Sequence, residues 1–105
     1  FIEGDRAGAR RHLKSAVAVE PTLAGAHRRL GYLEMSDNHW REAIREFELE
    51  RLSGAPPEDE YARTGQAWER LGDPKRAAEA YRRHSDVHAD DDRTRQALRR
   101  LEAGH

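Results

Sequence analysis

The stretch "AWERLGDPKRAAEAY", Ala67–Tyr81, decides the fold. Trp68 and Leu71 lie three apart and share one face of a helix. Gly72 can close that helix in a left-handed conformation, and Asp73 is a good N-cap for another. Pro74 suits the first helical position, where no N–H is needed. Ala77, Ala78 and Tyr81 then take up a helical period. Two helices joined this tightly run back to back, so the stretch predicts a helical hairpin.

The hairpin recurs. Thirty-four residues before Gly72-Asp73 stands Asn38-His39, and thirty-four before that stands Gly4-Asp5. The same shift carries Ala77 onto Ala43 and Ala9, Tyr81 onto Phe47 and Leu13, and Gly65 onto Gly31. These columns keep one phase without a gap, and a period of this size implies stacked supersecondary units.

The period and its small and aromatic columns resemble the tetratricopeptide repeat (TPR) family, whose pattern pairs leucine and glycine in the first helix with Ala-x3-aromatic in the second. "LGYLE" at Leu30–Glu34, "AIREF" at Ala43–Phe47, "AAEAY" at Ala77–Tyr81 and "AVAVEP" at Ala16–Pro21 carry the resemblance over nearly the whole chain. It implies an all-α, right-handed α-solenoid of antiparallel hairpins, about three repeats. On this reading a truncated repeat occupies 1–23, contributing only its second helix at 5–19. Full repeats follow at 24–57 and 58–91, and a closing helix from about 92 to 103. Gly31 and Gly65, with Ala9, Ala43 and Ala77, let helices approach within a hairpin. Leu13, Phe47 and Tyr81 are expected to fill the space between that hairpin and the next. Three features depart from the pattern. Thr64 precedes Gly65 where the family prefers leucine. Glu50 and His84 stand where a small residue normally packs. Leu49 and Leu52 sit one residue early, so that helix end is expected to be irregular before the hard break at Pro56-Pro57.

At 105 residues the chain has room for one domain. Nineteen Lys and Arg against twenty Asp and Glu leave no global field to draw it onto nucleic acid or an acidic membrane. The absence of cysteine excludes disulfides, zinc–cysteine sites and thiol catalysis. No apolar run is long enough to span a bilayer, and no signal peptide is visible. The chain starts at Phe1 rather than Met, as expected of a piece of a longer protein.

Few residues suggest chemistry. His84 and His88 are spaced i,i+4 with Asp86, Asp90, Asp91 and Asp92 nearby, a spacing at which a metal could bridge two imidazoles. The metalloprotease signature fails because Ser85 follows His84. A polar helix surface, with aspartates capping the next helix, is the simpler reading, so no metal and no cofactor are expected. "GDRAG" lacks the Lys-Ser/Thr of a phosphate loop, and no serine sits in a nucleophile elbow. Glu46, Glu48 and Glu50 point in different directions. A non-enzymatic role is therefore expected. The basic clusters "RRHLK" at 10–14 and "DRTRQALRR" at 92–100 read as solvated helix faces with charge pairing at i,i+3 and i,i+4.

The remaining candidate is the concave face that the resemblance implies, lined by the first helix of each hairpin. Arg28, Tyr32, Met35 and Ser36 share one face of the first such helix. The next carries Asp59, Ala62, Gln66, Glu69 and Arg70, and the closing helix adds Arg93, Gln96 and Arg100. Arg and aromatic residues are the usual anchors of protein interfaces, so Arg28, Tyr32, Met35, Gln66, Glu69, Arg70, Arg93 and Arg100 are the expected partner-binding residues. The lysine-and-asparagine carboxylate grip of the co-chaperone subgroup is missing, since Tyr32 and Gln66 stand at its positions. The leading expectation is a protein–protein scaffold that binds through the groove or the solenoid ends. The alternative is an Arg-dependent binder of a polyanion, an acidic polysaccharide or nucleic acid. The arginine-rich, gapless repeats also resemble the periplasmic TPR regions of bacterial exopolysaccharide export proteins of the Pel, cellulose and alginate type. That resemblance implies a periplasmic location and recruitment of a polysaccharide-modifying enzyme beside an outer-membrane porin.

The truncated repeat sets the first testable expectation. Ala9, Leu13, Ala16 and Val17, with Ile2 before them, should be only partly covered by the next hairpin, and one large aliphatic side chain is worth roughly 1.5–3 kcal/mol when buried. Repeat arrays draw their stability from such neighbour interfaces. Adding one upstream helix should raise the melting temperature and reduce self-association, and extension past His105 should do less. Thermal melts and sedimentation of the two extended chains check this, and equal gains would mean that the repeat phase is misread.

Overall fold

The computed structural model describes residues 3–104. Among them are six α-helices, one 3-10 turn and no strand, as the all-helical expectation requires. The helices are α1 (Glu3–Val19), α2 (Ala26–Ser36), α3 (Trp40–Glu50), α4 (Glu60–Arg70), α5 (Pro74–Val87) and α6 (Asp92–Ala103). The chain divides into two compact units between Pro56 and Pro57. In the first, α2 packs against α1 and α3. In the second, α5 packs against α4 and α6. Ile2, part of the apolar face expected for the first helix, lies outside the described residues.

The helix ends follow from local chemistry. Gly72 closes α4 with φ 80°, and thirty-four residues earlier Asn38 closes α2 with φ 62°. Asparagine is among the few non-glycine residues that tolerate this region. At both ends the next amide reaches back five residues. Asp73 N donates to the Trp68 carbonyl at 2.9 Å, and His39 N to the Glu34 carbonyl at 2.8 Å. This pattern satisfies carbonyls that the helix end would otherwise orphan. The Asp73 carboxylate then accepts from Arg76 N at 3.0 Å, and Pro74 opens α5. The irregular end foreseen near Leu49 and Leu52 is a 3-10 turn, Arg51–Ser53, closed by Gly54 at φ 79°. It leaves Leu52 in solvent.

Each unit is built around one close approach. A Cβ placed on Gly31 would lie 2.6 Å from Cδ1 of Phe47, and one on Gly65 would lie 2.7 Å from Cδ1 of Tyr81. Both rings are buried, and Ala43 and Ala77 have no exposed surface at all. The aromatic column was expected to fill the space between hairpins. Both rings also lie against the glycine of their own hairpin, where the missing side chain leaves room for them. Tyr32 adds an edge-on contact to Phe47, with centroids 5.6 Å apart.

This predicts opposite signs for two formally identical substitutions. Gly8, inside α1, has nothing within 4 Å of a built Cβ. Gly8→Ala should therefore stabilise by about 1 kcal/mol through helix propensity. Gly31→Ala gains the same propensity but drives a methyl into a buried ring, and overpacking typically costs about 1–3 kcal/mol. Its denaturation midpoint should fall. Adding Phe47→Leu to Gly31→Ala should cost less than the sum of the two single changes, and strict additivity would mean that the ring does not fill the glycine slot.

Candidate partner-binding faces

In the first unit the face of α2 carries Arg28, Tyr32 and Met35, all half-buried. Arg28 is placed by an unusual cap. Residue 25, ahead of α2, is glycine, so it offers no side chain to the orphan amides. Glu50 supplies the cap from α3. Its carboxylate accepts from Gly25 N at 2.8 Å and Arg28 N at 3.0 Å, and Ser53 Oγ donates to it at 3.3 Å. The Arg28 guanidinium lies 3.7 Å from the same carboxylate and 3.5 Å from the Pro56 carbonyl. Glu50 is only 2% exposed. A charge so deep is tolerable because amide donors, the positive end of a helix and a cation surround it. The departure from a small residue at position 50 is thus a helix cap supplied from a neighbouring helix.

Two further polar ties in this unit were not foreseen. The Arg6 guanidinium donates to Asp37 at 2.7 Å, and Arg10 spans Glu34, at 2.9 Å, and Asp37. The cluster at 10–14 had been read as a solvated face paired within its own helix. For Arg10 that is corrected, since its partners lie on and just after α2. His27 is buried, with Nδ1 2.7 Å from Glu46 Oε2 and Nε2 2.9 Å from the Pro21 carbonyl. It fastens the α1–α2 connection to α3.

In the second unit Gln66 and Arg70 are exposed on α4, and Arg93 and Arg100 on α6. Gln66 accepts from Arg63 at 3.5 Å. Glu69 and Arg100 are brought together, with Arg100 Nη2 2.8 Å from Glu69 Oε2. The Tyr81 hydroxyl also donates to Glu69, at 2.6 Å. Burial first, and then this carboxylate, push the tyrosine hydroxyl well above its ordinary value. Beside Trp68 on α4 the Arg76 guanidinium sits 4.9 Å from the ring centroid.

At the α5–α6 junction Asp91 caps α6, accepting from Arg93 N at 3.1 Å and Thr94 N at 3.4 Å. His84 Nε2 lies 2.7 Å from its other oxygen. The aspartate cap agrees with expectation. The polar helix surface does not hold for His84, which is 3% exposed. It falls on the buried face of α5 with Ala77 and Tyr81, and that spacing was the available signal. The hydrogen bond from His84 holds the Asp91 carboxyl below the usual range, as the one from Arg10 does for Asp37.

No helix among the described residues is long and apolar enough to cross a membrane. Comparison of the chain with protein-family models and with curated proteins gives no match.

The lowered carboxyls and the raised tyrosine fix the signs of the pH dependence. Asp37 and Asp91 contribute stability that is complete above their unfolded values and is lost as pH falls through the folded ones. Tyr81 contributes stability that is complete below about pH 10 and is lost as pH rises above it. Urea melts across pH should show both limbs. Asp91→Asn should flatten the acid limb and Tyr81→Phe the alkaline one. An unchanged alkaline limb in Tyr81→Phe would remove the role given to the tyrosine–carboxylate bond.

Proposed function

We propose that the chain belongs to a right-handed TPR-type α-solenoid and acts without catalysis, binding a protein partner. The observation that carries this reading is the recurrence, thirty-four residues apart, of a hairpin locked by glycine against an aromatic ring, Gly31 on Phe47 and Gly65 on Tyr81. Arrays of such hairpins serve as extended binding surfaces. The first unit contributes Arg28, Tyr32 and Met35 as anchors on α2, with Arg28 held in place by Glu50. The second contributes Gln66, Arg70, Arg93 and Arg100, with Arg70 setting the polarity of the bound segment. In the two units Glu50, His27 and Asp91 serve helix caps and inter-helix ties, as scaffold residues do.

A partner retrieved with the intact parent protein provides the test. By calorimetry, Tyr32→Ala and Met35→Ala should each weaken binding by about 2 kcal/mol, the usual size of an interface anchor, with helicity unchanged. Binding that survives both, but is abolished by changes on α3 and α5, would reject the inner-face assignment. Affinity that collapses between low and physiological salt would favour a polyanion ligand instead.

A further inference from the structure

We propose that His84 and His88 form a two-histidine site at the C-terminal end of α5 for a divalent transition metal of the imidazole-preferring class, such as Zn2+ or Cu2+. His84 is buried, so the pair is not the solvated helix face that its polar residues suggest. His84 lies in the last turn of α5 and His88 is the residue that ends it, with ring centroids 4.8 Å apart and planes tilted by 36°. Asp91 is an ionised acceptor, so the bond at 2.7 Å places the His84 proton on Nε2. In the neutral imidazole, the form that binds metal, Nδ1 of His84 is then the lone-pair nitrogen, and it is buried with no hydrogen-bond partner. Buried polar atoms are nearly always paired, so such an orphan calls for an occupant. Nε2 of His88 lies 3.4 Å from the Pro57 carbonyl, which leaves its Nδ1 as the nitrogen available to a cation.

The arrangement matches what metal-bound histidines require. A ligating imidazole almost always donates its other N–H to a carboxylate or carbonyl, which fixes the tautomer and raises the ligand's basicity. Here Asp91 does this for His84 and Pro57 for His88. The local field agrees, since the pair lies at the C-terminal, negative end of α5 and exposed Asp86 and Asp90 flank His88. Half-buried His88 gives the ion its way in, and the remaining coordination positions go to water or to a donor from a bound partner. The three-donor cluster of Glu34, Asp37 and His39 is the other arrangement of this kind among the described residues. Arg6 and Arg10 already pair with its carboxylates, and an ion there would have to displace them. The inference stands apart from the scaffold reading, because neither histidine is among the proposed partner anchors.

The test is titration of the full chain with ZnCl2, followed by calorimetry and by 15N shifts of the histidine rings. The expected result is saturable one-to-one binding that moves Nδ1 of His84 and His88 and leaves Nε2 of His84 protonated. His88→Ala should abolish it at unchanged helicity, and Asp91→Asn should weaken it about 10–100-fold. His39→Ala should leave it intact. The inference is overturned by shifts that do not saturate, by binding through Nε2 of His84, or by binding that survives His88→Ala. Loss of binding in His39→Ala would equally overturn it, by placing the ion at the other cluster.

Discussion

The contact on which both units depend is an aromatic ring held against a glycine one helix away. It is made at a local cost, because glycine inside a helix is about 1 kcal/mol worse than alanine. That cost is offset by burying a whole ring, typically 150–250 Å2 of surface. The offset holds only if the helices come close, and Ala43 and Ala77 allow that approach, each with zero exposure. Gly31 and Phe47 are sixteen residues apart, as are Gly65 and Tyr81. The same turn chemistry, Asn38 in one hairpin and Gly72 in the other, sets both pairs in register.

Differences between the units grow from the one atom that distinguishes the two rings. Phe47 needs nothing further, and the edge of Tyr32 suffices to cover it. Tyr81 brings a hydroxyl into the interior, which must be paired. Glu69 accepts from it, and the carboxylate in turn draws Arg100 of α6 to α4. A polar relay from α5 through α4 to α6 thus follows from tyrosine in place of phenylalanine. The paired departures at positions 50 and 84 obey the same logic. Each puts a polar group where a small residue was expected, and each is answered at a helix N-terminus. Glu50 binds the free amides of α2, and His84 binds the aspartate that caps α6. An alanine at position 50 would leave the amides of α2 without their carboxylate, and one at position 84 would leave the capping aspartate without its imidazole partner.

What was legible in the sequence was whatever repeats or punctuates. Asn38, Gly72, Asp73 and Pro74 mark helix ends through their own backbone preferences, so the hairpin boundaries could be read one residue at a time. The columns of glycine, alanine and aromatic residues gave the register. Ties between helices were harder, because periodicity gives a helix its faces but not its neighbour's height. Arg10 meets Glu34 and Asp37 only because α1 lies against α2 at one particular offset, and nothing in "RRHLK" encodes that offset. His27 with Glu46 and Pro21 is the same case. His84 is different, since its place three residues after Tyr81 on the apolar stripe was visible, but residue type outweighed position. For a titratable residue inside a repeat, column is the better guide to burial.

The binding faces show the complementary limit, since the sequence supplies candidates without saying which are already engaged. Glu69 and Arg100 were nominated separately, yet they face each other. Their pairing does not remove them from recognition. Arg100 is 60% exposed at its side chain while Glu69 is 24% exposed, and ion pairs open to solvent are worth only about 0–1 kcal/mol. A carboxylate on an incoming chain could therefore take the guanidinium at little cost, because Glu69 would keep the Tyr81 hydroxyl as a partner. Arg28 is in the opposite position. Its guanidinium faces Glu50, a carboxylate buried to 2% exposure, so drawing it away would weaken the neutralisation of a deep charge. The two arginines are thus held unlike, each within its own unit. Arg100 is a solvent-facing cation free to change partners, and Arg28 is a fixed one, tied to the charge of Glu50.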